Sequence, residues 1–272
     1  MALFLISRGS FSGGQLISQC LSKTPGMRCL TREDLVAAVN THGELANKVV
    51  ASMAKAAQDY GKLSTLRRPY KILMRLALLE YVRQSDVAYF GYSGHLLLPG
   101  IPHAVRVRIV APAKLRVRLL MGREKLTEEQ AEERIRQVDE ERSRWTRFMY
   151  GKNLRDPEQF DLCLNLERVS FPTACCILMN MAQQDEFKPT PASLAAVENR
   201  YLSARVLAAL LENSQTFELE VGATAEDNRI TLEGPCLDES VRSTALEIAR
   251  AVPGVAEVQY QEGYAPPFDM MS

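Results

Sequence analysis

The sequence of 272 residues lacks the long apolar segments that mark a membrane protein. No run approaches the roughly 18–20 apolar residues that a membrane-spanning helix requires. The apolar start of the chain ends at Ile6 and carries no basic residue, so it is too short for a secretory signal. We therefore expect a cytoplasmic protein.

Cysteine patterns typical of zinc sites or disulfide frameworks are also missing. The six cysteines show no C-x-x-C spacing, and most lie in apolar runs where a small core residue is expected. The three histidines show no spacing typical of metal ligands or of a catalytic base. The residues in question are Cys20, Cys29, Cys163, Cys175, Cys176, Cys236, His42, His95 and His103. The sequence predicts no metal site built from them.

Net charge is absent as well, because 33 basic residues balance 33 acidic ones. The balance conceals an asymmetry, since residues 201–272 carry a net charge of −8 and residues 1–200 a net charge of +8. A basic region suits ligands that carry phosphate, although an ordinary mixed surface gives the same count. The acidic region disfavours contact with nucleic acid or a membrane. With 46% apolar residues, the chain is globular and long enough for two domains.

The first 185 residues alternate between strand and helix patterns. Short apolar runs predict buried strands, and apolar residues at helical spacing follow each of them. Such alternation predicts an α/β fold, with a mostly parallel sheet covered by helices on both faces. The predicted strands are Leu3–Ile6, Met27–Leu30, Asp86–Gly91, Val105–Val110 and Phe160–Leu166. Residues 44–84 are predicted to be helical, with breaks near Gly61 and at Arg67-Arg68-Pro69.

Beyond residue 185 the composition changes. We predict a first domain over residues 1–185, a polar linker over 186–199, a small α+β domain over 200–262 and a loose tail over 263–272. The small domain has the element order αββαβ. Its predicted elements are the helix Tyr201–Asn213, the strands Phe217–Val221 and Arg229–Glu233, the helix Asp238–Ala251 and the strand Val255–Tyr260.

A glycine-rich turn follows the first predicted strand. Gly9 and Gly14 match the G-x-x-x-x-G part of a phosphate-binding loop, but Gln15-Leu16 stands where Lys-Ser/Thr is usual. In such loops, successive backbone N–H groups at a helix N-terminus hold anionic oxygens. A tight turn without a ligand is the alternative.

The string Ile6-Ser-Arg-Gly-Ser-Phe-Ser-Gly-Gly-Gln-Leu-Ile17 resembles the loop of the cytidylate kinase-like family of P-loop nucleoside monophosphate kinases. In that register Gly14 occupies the position of the usual loop lysine, Phe11 replaces a glycine and Gln15 replaces an arginine. The resemblance implies a P-loop kinase-type fold with a helical lid. It also implies a loop formed by Arg8, Gly9, Ser10, Ser12, Gly13, Gly14 and Gln15.

A second stretch, from Val107 to Phe148, resembles the strand and lid of the same family. In monophosphate kinases, lid arginines close over the transferring phosphoryl group and stabilise its charge. The alternative is a solvated helix with ion pairs such as Glu132–Arg136. The catalytic residues that the resemblance implies are Arg116, Arg123, Arg134, Asp139 and Arg142.

A third stretch, Asp156–Asn165, resembles the last strand of the family, whereas its acceptor motif is missing. The family often has Gly-Arg-Gly or Gly-Arg-Asp after the third strand, where this chain has Gly91-Tyr-Ser-Gly94. Arg67 and Arg68 lie in the segment that holds the acceptor in such kinases, which makes them candidate acceptor-binding residues. A surface role is the alternative for both.

Residues 200–261 resemble the BON domain through Arg229–Gly234 and Ala249–Val258, with Gly234 and Gly254 as signature glycines. BON domains are associated with membrane contact and with protein interaction. The negative charge of this region favours a protein partner.

These resemblances predict a nucleotide kinase that transfers the γ-phosphoryl group of ATP to a pyrimidine nucleoside monophosphate with Mg²⁺. The alternative is a catalytically impaired nucleotide-binding module that acts through protein interactions of the BON-like domain. A membrane-stress adaptor is a third possibility, which the charge disfavours.

Overall fold

The computed structural model describes residues 2–55, 63–91 and 93–263. Contacts divide the chain into two compact units, the first formed by residues 1–34, 85–98 and 102–190 and the second by residues 35–84, 99–101 and 191–272. Each unit is thus assembled from segments that are distant in sequence. The predicted first domain, residues 1–185, differs from the first unit because residues 35–84 group with the C-terminal region.

The secondary structure comprises eight strands and ten α-helices in the described residues. The strands are β1 Leu3–Arg8, β2 Met27–Thr31, β3 Asp86–Gly91, β4 Ala104–Val110, β5 Leu162–Asn165, β6 Gly222–Glu226, β7 Arg229–Gly234 and β8 Glu257–Glu262. The helices are α1 Gly14–Leu21, α2 Arg32–Val39, α3 Glu44–Lys55, α4 Ser64–Val82, α5 Gly94–Leu97, α6 Ala113–Glu124, α7 Glu128–Tyr150, α8 Phe171–Met181, α9 Pro191–Leu211 and α10 Glu239–Ala251.

The first unit contains a five-stranded sheet in the order β2-β3-β1-β4-β5, and every pair of neighbours is parallel. The predicted α/β fold with a parallel sheet flanked by helices is confirmed. The apolar run of β1 explains its central place, because Leu3 to Ile6 are all buried.

The strand order reverses direction at β1, which pairs with β3 on one side and with β4 on the other. In open α/β sheets, ligands bind in the crevice outside the carboxyl ends of the strands at such a switch point. The glycine-rich turn after β1 lies at this crevice.

Helices α6 and α7 form a hairpin in the first unit. Val117 and Leu120 of α6 pack against Ala131 and Ile135 of α7. A capping box begins α7, in which the Thr127 hydroxyl accepts from the Gln130 N–H and the Gln130 side chain accepts from the Thr127 N–H. The start of α7 is therefore fixed by its sequence.

The second unit combines helices α3, α4, α9 and α10 with a three-stranded sheet in the order β6-β7-β8. Strands β6 and β7 are antiparallel, whereas β7 and β8 are parallel. The C-terminal elements follow the predicted αββαβ order. Strands β6 and β7 form a hairpin with its turn at Asp227 and Asn228, whose φ angles of 47° and 65° suit a tight turn.

Helix α4 runs through the predicted break at Pro69. Pro69 removes the amide that would bond to the carbonyl of Thr65, but Thr65 is exposed near the start of the helix, where water can satisfy that carbonyl. The helix instead continues because its residues from Pro69 to Leu79 are buried and because it packs on α9.

Two further expectations for the C-terminal region are wrong. Most of the predicted linker belongs to α9, which begins at Pro191, a residue suited to the first turn of a helix. The predicted strand Phe217–Val221 is not a strand, because residues 217 and 218 end a turn and residues 219–221 have no regular structure. In that turn the Thr216 hydroxyl donates to the carbonyl of Leu210 at 2.6 Å. The alternating apolar and acidic residues of this segment imitate a strand pattern.

Several expectations lie outside the described residues, namely the break at Gly61, Tyr92 and the tail beyond Gly263. Among the helices that the structure does describe, none combines the length and the apolarity needed to cross a bilayer.

Candidate functional site

The glycine-rich turn connects β1 to α1 at the crevice of the sheet. The Gly9 N–H donates to the carbonyl of Ile109 at 3.0 Å, and the Ser12 hydroxyl donates to the carbonyl of Gly9 at 2.9 Å. Gly13 precedes α1 with a φ of 81°. A Cβ atom at Gly13 would lie 2.4 Å from the Phe171 ring, so both the backbone angle and the packing require glycine there.

Phe11 occupies a position where the resembling loops have glycine. Its φ of 55° is the angle that a glycine would adopt without cost. The ring packs against the apolar core of the α6–α7 hairpin, below the guanidinium of Arg123 at 5.0 Å. This packing anchors the turn to the helical hairpin.

Ser10 connects the turn to both helices of the hairpin. Its hydroxyl donates to Asp139 at 2.6 Å, and its carbonyl accepts from Arg116 at 2.8 Å. Arg116 also donates to Asp139 at 2.6 Å. Ser10 is fully buried, so these three residues form a closed network between the glycine-rich turn, α6 and α7.

Asp139 remains ionised within this network. Burial raises the pKa of its carboxyl, but the hydrogen bond from Ser10 and the charge of Arg116 outweigh burial and hold the pKa below its usual value. An ionised Asp139 keeps Arg116 oriented. An anionic ligand that binds this face of Arg116 has to displace the Asp139 carboxylate from it.

A cavity of about 320 Å³ opens beside the network. Five arginines and one carboxylate line it, which leaves a strong excess of positive charge. The charged lining residues are Arg8, Arg108, Arg116, Arg142, Arg155 and Asp139. Because guanidinium groups bind phosphate oxygens in a bidentate manner, the cavity suits a ligand with several phosphate groups.

Two of these arginines form hydrogen bonds with residues of β1. Arg142 donates to the carbonyl of Arg8 at 3.3 Å, and Arg108 donates to the hydroxyl of Ser7 at 2.9 Å. Burial lowers the pKa of Arg108 and of Arg8, although the carboxylate of Glu33 partly restores that of Arg8. The guanidinium groups of Arg108 and Arg142 are thus oriented before any ligand arrives, which favours the binding of charge that develops in a transition state.

The elements that form this cavity match one known protein family. The sequence profile of the cytidylate kinase-like family matches residues 5–168, which include β1, the glycine-rich turn and the α6–α7 hairpin. The chain belongs to this family. Membership implies nucleotide use and metal use in general terms.

Solved structures resemble the kinase-like fold of this chain at low sequence identity. An uncharacterized protein from Eubacterium ventriosum is 15% identical, with a TM-score of 0.50 over 66% of this chain and 98% of its own. The protein TT1252 from Thermus thermophilus is 16% identical, with a TM-score of 0.42 over 67% and 97%. A shikimate kinase from Bacteroides thetaiotaomicron is 12% identical, with a TM-score of 0.40 over 67% and 99%. No curated protein matches.

The cytidylate kinase-like cavity brings together six of the residues singled out from the sequence. Arg116, Asp139 and Arg142 from the lid region meet Arg8, Gly9 and Ser10 from the turn. These residues are up to 134 positions apart in the chain, as in the hydrogen bond from Arg142 to Arg8. The parallel sheet brings them to one edge.

Other candidate residues lie away from the cavity lining. Arg123 pairs with Glu124 and lies over Phe11, and Arg134 is exposed on α7. Ser12, Gly13 and Gly14 shape the turn, whereas Gln15 is exposed. Part of α7 is a solvated surface with ion pairs, as the alternative interpretation predicted. The pairs differ from the predicted one, because Arg136 pairs with Glu133 and Glu140 rather than with Glu132.

The candidate acceptor residues Arg67 and Arg68 belong to the second unit. Arg68 is half-buried, and it donates to the carbonyl of Val221 at 2.7 Å. This bond ties α4 to the segment before β6. Arg67 is exposed.

Sequence reasoning missed Arg108 and Arg155. Arg108 alternates with Val107 and Ile109 along β4, and this period of two was a signal that one side of the strand carries charge. Arg155 directly precedes the Asp156 stretch that resembles the family, but no spacing rule connects it to the turn after β1.

Magnesium ligands are scarce around the cavity. Asp139 is the one carboxylate among its lining residues, and Arg116 already binds it. Within residues 2–55, 63–91 and 93–263, no three His, Cys, Asp or Glu side chains meet in a way that could hold a metal ion. This donor set fits a Mg²⁺ ion that is bound mainly by substrate phosphates and water.

Proposed function

We propose that the protein is a nucleotide kinase that transfers the γ-phosphoryl group of ATP to a pyrimidine nucleoside monophosphate. The observation that carries the proposal is the convergence of five arginines on one cavity beside a glycine-rich turn. Phosphoryl transfer needs positioning and charge neutralisation more than covalent chemistry, and arginines from several elements supply both.

In this proposal the turn binds the donor phosphates and the arginines stabilise the transferred group. Backbone N–H groups between Ser10 and Gln15 hold the donor phosphates at the N-terminus of α1. Arg116 and Arg142 neutralise the charge that develops on the transferred group. Asp139, the one carboxylate that lines the cavity, is the candidate protein ligand for a Mg²⁺ ion, which would lower the negative charge of the ATP phosphates.

The expected resemblance of residues 200–262 to a BON domain remains part of the proposal. The element order and the two glycines support it. A Cβ atom at Gly234 would lie 2.7 Å from Val221 and 2.8 Å from the Tyr260 hydroxyl, and Gly254 has a φ of 94°. We propose a protein partner for this acidic region. The alternative of an impaired interaction module has no support from the geometry of the described residues.

Phosphoryl transfer by the purified chain tests the proposed activity. The full chain is incubated with Mg·ATP and, separately, with CMP, dCMP, UMP and AMP, and nucleoside diphosphate formation is measured. We expect transfer to at least one pyrimidine acceptor and its loss in Arg142→Ala. Binding of ATP without transfer to any acceptor would contradict the proposal.

A further inference from the structure

The position of the usual loop lysine is the starting point. The phosphate-binding pattern G-x-x-x-x-G-K-[ST], aligned so that Gly13 is its last glycine, begins at residue 8 and has its lysine at residue 14. This chain has arginine where the pattern has its first glycine, and glycine where the pattern has its lysine. The cationic residue and the glycine have exchanged places.

The structure shows that the two changes depend on each other. A Cβ atom at Gly14 would lie 2.4 Å from Cδ of Arg8, 3.3 Å from its Nε and 3.6 Å from its Cγ. Those three atoms are the nearest that such a Cβ would meet, so the side chain of Arg8 fills the space above Gly14. A larger residue at position 14 would displace the arginine.

Arg8 also has unused binding capacity. Its Nε atom is buried and has no hydrogen-bond partner in the structure, although buried donors are almost always paired. Arg8 is the last residue of β1, next to Gly9 and Ser10 in the cavity lining. Burial lowers its pKa, so a bound anion would relieve the cost of holding its charge there.

We propose that Arg8 performs the task of the missing loop lysine and binds the outer phosphates of the nucleotide, with Gly14 as the space that admits it. This proposal rests on the proposed kinase function and assigns the residue that reads the outer phosphates. The charge enters from the strand before the turn rather than from the helix after it, and it reaches the same cavity.

Relocating the charge provides the test. Arg8→Ala removes the guanidinium, and the double variant Arg8→Ala/Gly14→Lys returns a cation at the position of the usual lysine, where the loss of the Arg8 side chain makes room. Arg136→Ala, which removes an exposed arginine paired with Glu133 and Glu140, is the matched control. Affinities for ATP and AMP and the rate of transfer are measured for each full-length chain.

We expect Arg8→Ala to weaken ATP binding at least tenfold while the affinity for AMP changes less than twofold. The double variant should recover most of the loss, and Arg136→Ala should match the wild type. Gly14→Lys alone should lose ATP affinity, because both side chains compete for one space.

Three outcomes would overturn the proposal in distinguishable ways. ATP affinity and transfer that are unchanged in Arg8→Ala would remove the role of Arg8 and leave the kinase function standing. An equal loss of ATP and AMP binding would assign Arg8 a merely structural role. A wild-type chain that neither binds ATP nor transfers phosphate would overturn the kinase function and this inference together. If Arg8→Ala does not fold, the folded double variant decides, because failure to bind ATP would contradict the proposal.

Discussion

In the first unit five arginines converge on one open cavity, and three of them also bond to groups of the protein. In the second unit Arg68 and Arg83 bond to groups of the protein and do not line that cavity. Arg68 donates to a backbone carbonyl. Arg83 pairs with Glu198 and lies 4.0 Å from the Tyr201 ring centroid. A basic composition therefore does not locate an anion site, whereas the convergence of several guanidinium groups on one cavity does.

Substitution of a cavity arginine should give the largest effect. Arg116→Ala removes a cation that contacts Ser10 and Asp139 at the turn. We expect phosphoryl transfer to fall about a thousandfold or more, since arginines that neutralise a transferred phosphoryl group contribute that much. Steady-state kinetics measure the loss, and the melting temperature checks that the chain is folded. A fall of less than tenfold in a folded variant would show that Arg116 does not neutralise the transferred group.

Acid titration of His95 tests a basic residue of the first unit that packs in the interior instead of lining the cavity. It is 4% exposed, and its ring lies 4.5 Å from the Phe160 ring. Burial lowers the pKa of His95 to about 4. As the pH falls, the imidazole therefore stays neutral in the folded protein while it takes up a proton in the unfolded chain. This difference in pKa lowers the free energy of unfolding as the pH falls from about 6.5 towards 4, by up to about 3 kcal/mol. Above about pH 6.5 the pKa difference costs no stability.

The variant His95→Gln isolates this titration. Chemical unfolding between pH 7 and pH 4 gives the free energy of unfolding of both chains. The advantage of the wild type over the variant should shrink across this range. Curves that stay parallel would show that His95 is already protonated or already exposed to water.

The Arg68→Ala substitution tests the second unit. Loss of this bond leaves the carbonyl of the buried Val221 without its donor, so we expect the free energy of unfolding to fall by about 2 kcal/mol. Denaturant unfolding at neutral pH measures this change. An unchanged stability together with a tenfold higher KM for the monophosphate would instead assign Arg68 to the acceptor site.

The smallest effect is expected at Arg83, which is partly exposed at the end of α4. Arg83→Ala removes the Glu198 pair and the contact with Tyr201, and it should cost about 1 kcal/mol. Arg83→Lys keeps the charge but loses the planar stacking, so it should recover only part of the loss. Unfolding at low and high salt separates the two contributions, because salt weakens the ion pair more than the stacking. An equal stability of both variants and the wild type would place Arg83 outside the packing of this unit.

Local patterns made much of the first unit predictable. The apolar run before Ser7 and the capping box at Thr127 determine their elements through neighbouring residues alone. The resemblance to the family supplied Arg116, Asp139 and Arg142, which meet in the cavity. Their contacts with Ser10 depend on the order of the strands, which no local pattern specifies.

The second unit was less predictable because its main contacts are distant in sequence. Residues 35–84 group with the C-terminal region through the packing of α4 on α9, which no spacing rule reveals. Residues 191–199 were predicted as linker because the stretch Asp185–Ser193 is polar and contains two prolines, yet Pro191 begins a helix. Gly14 and Arg8 show the same limitation, since their dependence on each other becomes visible only when the turn is folded.

A crystal structure of the full chain with a non-hydrolysable ATP analogue and Mg²⁺ would test most directly whether the arginine-lined cavity binds phosphate. We expect the phosphates to lie in the cavity of the first unit, within hydrogen-bond distance of Arg8, Arg116 and Arg142. Phosphates bound elsewhere on the chain, with that cavity filled only by water, would contradict it.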